Sequence, residues 1–196
     1  MSLRVFVVCE DHTLDQYVAK PVIGSLLQHL GKSRSQVRVV SNPRLNGIGD
    51  VETQFEKLVA RYAAIGDFLV FSLDLDRCDG QEGRKDRQHS FNEKIAKLPA
   101  HLAQKVVVVL AVQELEVWAL WGSRSLLKAN WSEVRCERDP KELYFDPIVT
   151  DADNKFPGRG RTRLIEQSLA TGWHSIAQGC PELAELERDL RSKLNS

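Results

Sequence analysis

Phe68-Leu69-Val70-Phe71-Ser72-Leu73-Asp74-Leu75-Asp76-Arg77-Cys78-Asp79 decides how the rest of the chain is read. It opens as a short apolar run, the pattern of a strand covered on both faces. It closes on two aspartates two positions apart, with Asp79 three further on. Alternate side chains on a strand share a face about 6.6 Å apart along the backbone. The spacing therefore predicts Asp74 and Asp76 side by side, with Leu75 turned to the opposite face. Neighbouring anions are costly unless a proton or a cation sits between them. A hard divalent ion such as magnesium suits the pair, because it takes oxygen ligands and often only one or two carboxylates. The plainer alternative is a strand that runs out into a solvated acidic turn.

Working outward, residues 3–9 form an apolar run broken only by Arg4 and read as a first strand. A polar loop, residues 10–15, leads to Val18, Val22, Ile23, Leu26, Leu27 and Leu30 at helical spacing, with Gly31 to stop them. Pro21 lies inside that pattern and predicts a late start or a kink. Residues 37–40 make a second strand, and Phe55, Leu58, Val59 and Tyr62 mark a second helix. After the aspartate strand comes a helix through Phe91, Ile95 and Leu98. Residues 105–112 form the most β-branched run in the chain, a fourth strand. Strand–helix alternation of this kind predicts an α/β fold, a mostly parallel four-stranded sheet flanked by helices. Residues 113–121 read as a helix that begins at the strand's end with no turn residue between. Beyond them no strong strand remains, so 1–121 form an α/β core and 122–196 a helical extension packed on the same domain. A final amphipathic helix runs through Leu183, Leu186, Leu190 and Leu194.

The acids fall into line on this outline. Glu10 follows the first strand, Asp74 and Asp76 end the third, and Glu114 and Glu116 follow the fourth. In a parallel sheet these ends share one edge, and ligands bind at that edge in open α/β folds. Carboxylates gathered there predict a divalent-metal site.

Glu10 after one hydrophobic strand and Leu73-Asp74-Leu75-Asp76 after another resemble the Toprim domain of topoisomerases, primases and the overcoming-lysogenization-defect (OLD) nucleases. Glu114-Leu115-Glu116-Val117-Trp118 is similar to the acidic helix start of the OLD-like branch. The nearest likeness is to small stand-alone Toprim-like proteins that often accompany an ABC-type ATPase in bacterial antiviral defence loci. It covers residues 3–121, and less specifically the tail from Gly179. The resemblance implies a Toprim/Rossmann-like fold and phosphodiester hydrolysis of DNA or RNA with one or two Mg2+ or Mn2+ ions. Asp74 and Asp76 would hold a metal, and Glu10 would complete the shell or act as general acid or base. Glu116 and Glu114, with Asp15 or Asp11, would hold a second. Two departures bear on this: Asp11 stands where the family usually has glycine, and Asp15 falls five residues after Glu10 instead of four. OLD-like nucleases use a transition-state lysine, a role that would fall to Lys155. The alternative is a non-catalytic Toprim-like partner module for such an ATPase.

A nuclease also needs cations for phosphates. Arg84, Lys85 and Arg87 follow the aspartate loop, and Arg159, Arg161 and Arg163 alternate through a glycine-bearing stretch. An extended loop there would show all three arginines on one side, with glycines that let the backbone approach a phosphate. Both stretches also fit a solvated surface. His12 beside Glu10 reads as an exposed loop histidine more readily than a base. Trp118 and Trp121 read as core or interface anchors, and Gly47-Ile48-Gly49 lacks the lysine and hydroxyl of a phosphate loop.

Composition bounds the function classes. The 196 residues carry 27 basic and 27 acidic side chains, which argues against wholesale coating of nucleic acid or membrane but leaves room for a local basic patch. Cys9, Cys78, Cys136 and Cys180 are widely spaced with no CxxC pair, a usage that fits a reducing cytoplasm and no zinc. Residues 1–5 enter a strand-like run with no signal-peptide pattern, and no apolar run reaches membrane-spanning length. A soluble, cytoplasmic protein is expected.

Overall fold

The computed structural model describes residues 2–76 and 82–195, with the side chains of 82–85 excepted. Asp79, and the side chains of Arg84 and Lys85, lie outside the described residues. The four apolar runs become β1 (Arg4–Val8), β2 (Gln36–Val39), β3 (Phe68–Asp74) and β4 (Val106–Ala111). All pair in parallel, in the order β2-β1-β3-β4. Val7 sits between Val39 and Val70, and Asp74 lies opposite Ala111.

Alternation along these strands sorts the core into two layers. Val5, Val7 and Cys9 of the first strand segment, with Val70, Val107 and Val109, face helix α1 (Gln16–His29). Phe6, Val8, Leu69, Phe71, Leu73, Val108 and Leu110 face the other way. There they meet α2 (Ile48–Leu58) and Phe91 of α3 (Glu82–Ala96). A short α4 (Ala100–Ala103) leads into β4. The sheet is thus buried on both faces, as its near-continuous apolar strands require. α1 runs through Pro21 without ending there.

The chain after β4 covers the α1 face. Its α-helices are α5 (Glu116–Leu120), α6 (Trp131–Cys136), α7 (Arg161–Ala170), α8 (Trp173–Gly179) and α9 (Pro181–Leu194), with short 3-10 and π-helical segments in the longer connections before α6 and α7. Val134, Phe145, Leu164, Ile165, Trp173, Leu183, Leu186 and Leu190 enter the same core as α1. Trp118 is fully buried among them, the anchor its spacing suggested. Among the described residues, no helix is long and apolar enough to cross a membrane.

Two backbone positions depart from the expected course. The helix after β4 begins at Glu116, not at Gln113, because Gln113 takes a left-handed conformation (φ 62°) that turns the chain first. Asp76 does the same (φ 55°) just past β3. The two turns face each other: the Asp76 and Leu75 N–H groups both donate to the Gln113 carbonyl, at 2.9 and 3.1 Å. Non-glycine residues rarely adopt positive φ, and such positions cluster at functional sites. Both lie at the carboxyl edge of the sheet. There the chain winds from β1 to β2 on one side while β3 takes the other, which makes the β1–β3 crevice the topological switch point.

Candidate active site at the carboxyl edge of the sheet

Main-chain donors hold the acids of this edge. The Asp74 N–H donates to Glu10 Oε1 at 3.0 Å, tying the ends of β1 and β3 together. Asp74 Oδ1 in turn accepts from the Leu115 N–H at 2.8 Å, a bond that the Gln113 turn makes possible. Asp15 Oδ2 accepts from the Asp11 N–H at 2.8 Å, and Glu114 Oε2 accepts from the Lys141 N–H at 3.1 Å. Asp11 is occupied differently. Its Oδ1 takes both the N–H and the hydroxyl of Thr13, closing a local turn. Of the two aspartates left open by the sequence, Asp15 is the one that joins the cluster.

Electrostatics gives the same grouping. Burial pushes the Glu10 carboxyl up to about 7, and Asp76 adds to it. Asp15 is pushed up to about 7 by burial, with Glu116, Asp11 and Glu10 adding to it. Glu114 reaches about 7 through burial and the charge of Glu116. Asp74 is raised well above the usual carboxylate range by burial, then by Glu116, Asp15 and Glu10. Even the Cys9 thiol beneath them is driven up, by burial and by Asp15, Asp74, Glu10 and Asp11. Carboxyls from the ends of three strands therefore share one poorly solvated space.

Asp74 and Asp76 do not share the strand alternation expected of them. The strand ends at Asp74, so the two-residue alternation no longer applies at Asp76, which takes a positive φ but still bears on Glu10. Its side chain is 65% exposed and lies 3.7 Å from Arg87. Arg87 itself donates to the Asp74 and Leu75 carbonyls, at 2.7 and 3.1 Å, and so braces the strand end. Glu116 is 5% exposed and ion-paired with Arg161.

The basic stretch also folds differently from an extended loop. α7 starts at Arg161, so helical spacing separates the three arginines. Arg161 is buried against Glu116 and over the Phe145 ring. Arg163 is held by Asp153, its Nη2 2.7 Å from Oδ2. Only Arg159 stands exposed, at φ 46° between two glycines. Packing alone requires those glycines: a Cβ on Gly160 would lie 2.6 Å from Val149, and one on Gly158 would lie 3.1 Å from the Tyr17 ring. Lys155 is exposed on a short turn (Asp153–Lys155).

Beside the acids lies a polar cavity of about 390 Å3, lined by Leu14, Lys141, Asp146, Val149, Asn154, Arg159 and Arg161. Of its three cations, Arg161 is paired with Glu116 and Lys141 Nζ lies 3.1 Å from Glu142 Oε1, so Arg159 is the one most open to an anion. Lys141 was not evident in the sequence. It follows Asp139-Pro140 in what reads as an ordinary loop, and only the fold sets it beside Glu114. No protein-family model, no curated protein and no solved structure matches this chain.

Proposed function

We propose that this chain is a divalent-metal-dependent nuclease of Toprim type, hydrolysing phosphodiester bonds in nucleic acid. The observation that carries this reading is the juxtaposition of Glu10, Asp15, Asp74 and Glu114 at the switch point with the cationic cavity beside them. Carboxylate oxygens suit magnesium or manganese in kind, and their raised proton affinity is the property a cation reverses. As the side chains stand, no three described His, Cys, Asp or Glu residues form a ready metal-holding group. Magnesium keeps several waters and needs few carboxylates, so Asp74 and Glu10 would be its principal holders, with Asp15 and Glu114 adjoining. When bound, the metal would polarise the scissile phosphate and acidify an attacking water.

The chain's own groups have definable tasks. Arg159 would hold phosphate oxygens, and Lys141 would join it on leaving Glu142, which lies 3.1 Å from its ammonium. The Leu115 and Asp74 N–H groups orient the carboxylates of Asp74 and Glu10. Glu10 would either complete the metal's shell or, standing outside it with its carboxyl pushed up to about 7, act as general base at neutral pH. Asp76 and Glu116, the other acids of the edge, would enter only by leaving Arg87 and Arg161.

The test is cleavage of single- and double-stranded nucleic acid by the purified protein with manganese, magnesium or chelator, beside Asp74→Asn. Metal-dependent cleavage that the variant loses supports the reading. Cleavage that survives in the variant overturns it. Inactivity of both proteins, with and without an ABC-type ATPase, gives the site to the alternative, a non-catalytic Toprim-like module.

A further inference from the structure

Arg159 lines two cavities at once. One is the polar cavity beside the acids. The other, about 400 Å3, is walled by Tyr17, Phe156, Pro157 and Gly158, with Thr162 and Glu166 also lining it. Phe156 is 68% exposed, a large aromatic left in water. Its carbonyl accepts from the Arg159 N–H at 3.0 Å, so the ring and the guanidinium belong to one tight turn. The close fit of Gly158 on Tyr17 seats that turn on α1. A third cavity shares Tyr17 and Thr162 and adds Lys20 and Pro21, continuing the groove along α1.

A cationic cavity joined through one arginine to an aromatic-walled one matches the alternation of phosphate and base along a nucleic-acid strand. Bases in a duplex are stacked and paired inside, out of reach of such a wall, whereas unpaired bases stack readily on exposed aromatic rings. Resting on the nuclease reading above, the geometry points to a nucleobase subsite that makes single-stranded nucleic acid the substrate. A phosphate lies at Arg159 and Lys141, and the adjoining base stacks on Phe156.

Binding in chelator separates this inference from catalysis. The full-length protein is titrated with a labelled single strand, an all-abasic strand of equal length and charge, and a duplex. Wild type is expected to favour the single strand over the abasic one by about tenfold, the scale of one base–aromatic stack. Phe156→Ala should lose most of that preference while keeping its affinity for the abasic strand, and Phe156→Trp should restore it. Absence of preference in wild type, tighter binding of the duplex, or equal weakening of both strands in Phe156→Ala overturns the subsite. Manganese-dependent cleavage is scored separately. Cleavage without base preference sinks the subsite and leaves the nuclease, whereas preference without cleavage does the reverse. Absence of both preference and cleavage sinks both readings.

Discussion

Glu182 and Asp74 are both acids withdrawn from water beside the backbone that follows β4, and the fold treats them oppositely. Glu182, 1% exposed, accepts from the Val112 N–H at 3.5 Å, from Trp118 Nε1 at 2.8 Å, and from both terminal nitrogens of Arg135, at 3.2 and 2.9 Å. Its charge is fully answered. Asp74 accepts from the Leu115 N–H and faces further carboxyls, while Arg87 is spent on its carbonyl and not its carboxylate. One buried acid with a bidentate cation is a joint of the scaffold. Several buried acids that raise one another's proton affinity are a demand for a ligand.

The contrast can be broken most sharply at Arg135. Arg135→Ala leaves Glu182 buried without its cation and should cost about 3–5 kcal/mol of stability, read by urea or thermal unfolding. An effect below about 1 kcal/mol would remove Glu182 from the scaffold class. Asp74→Asn should do the opposite. It should retain or gain stability at neutral pH while lowering metal-dependent cleavage at least about a hundredfold, more than a group outside the metal's own shell costs.

A smaller effect sharpens the same contrast through pH. Glu10 has a folded pKa raised above its unfolded value, from 4.5 to about 7. Its protonated form is the one the fold favours, so stability from this group is present below about pH 4.5 and is lost as pH rises through 7. Glu10→Gln should therefore exceed wild type in metal-free stability at pH 8, by on the order of 2 kcal/mol, and match it near pH 4.5. Saturating manganese should shrink the difference by stabilising wild type. Melting curves at the two pH values, with and without metal, decide the point.

The smallest expected effect concerns the cationic cavity. Lys141→Ala and Arg159→Ala should each weaken binding of nucleic acid and lower the salt slope by about 1. Lys155→Ala, on an exposed turn outside that cavity, should leave the slope unchanged. Equal slopes for all three variants would remove the phosphate role from Lys141 and Arg159.

By itself the sequence determined the α/β layering and the edge at which the acids gather. Apolar runs such as 68–73 and 106–111 bury both faces of a strand wherever they are placed, and helical spacing in α1 and α9 dictates one buried stripe each. These are local regularities, legible without neighbours, and they put Glu10, Asp74 and Glu114 at one sheet edge. Only the tertiary structure decided which charges are answered. Asp76 falls outside the strand alternation because two left-handed turns meet at the strand ends. Glu116 and Arg161 found each other across 45 residues, as did Glu182 and Arg135 across 47. Lys141 reached the site because its N–H meets Glu114. Ion pairing depends on distances of a few ångströms between groups remote in the chain, and no local pattern of residues carries that information.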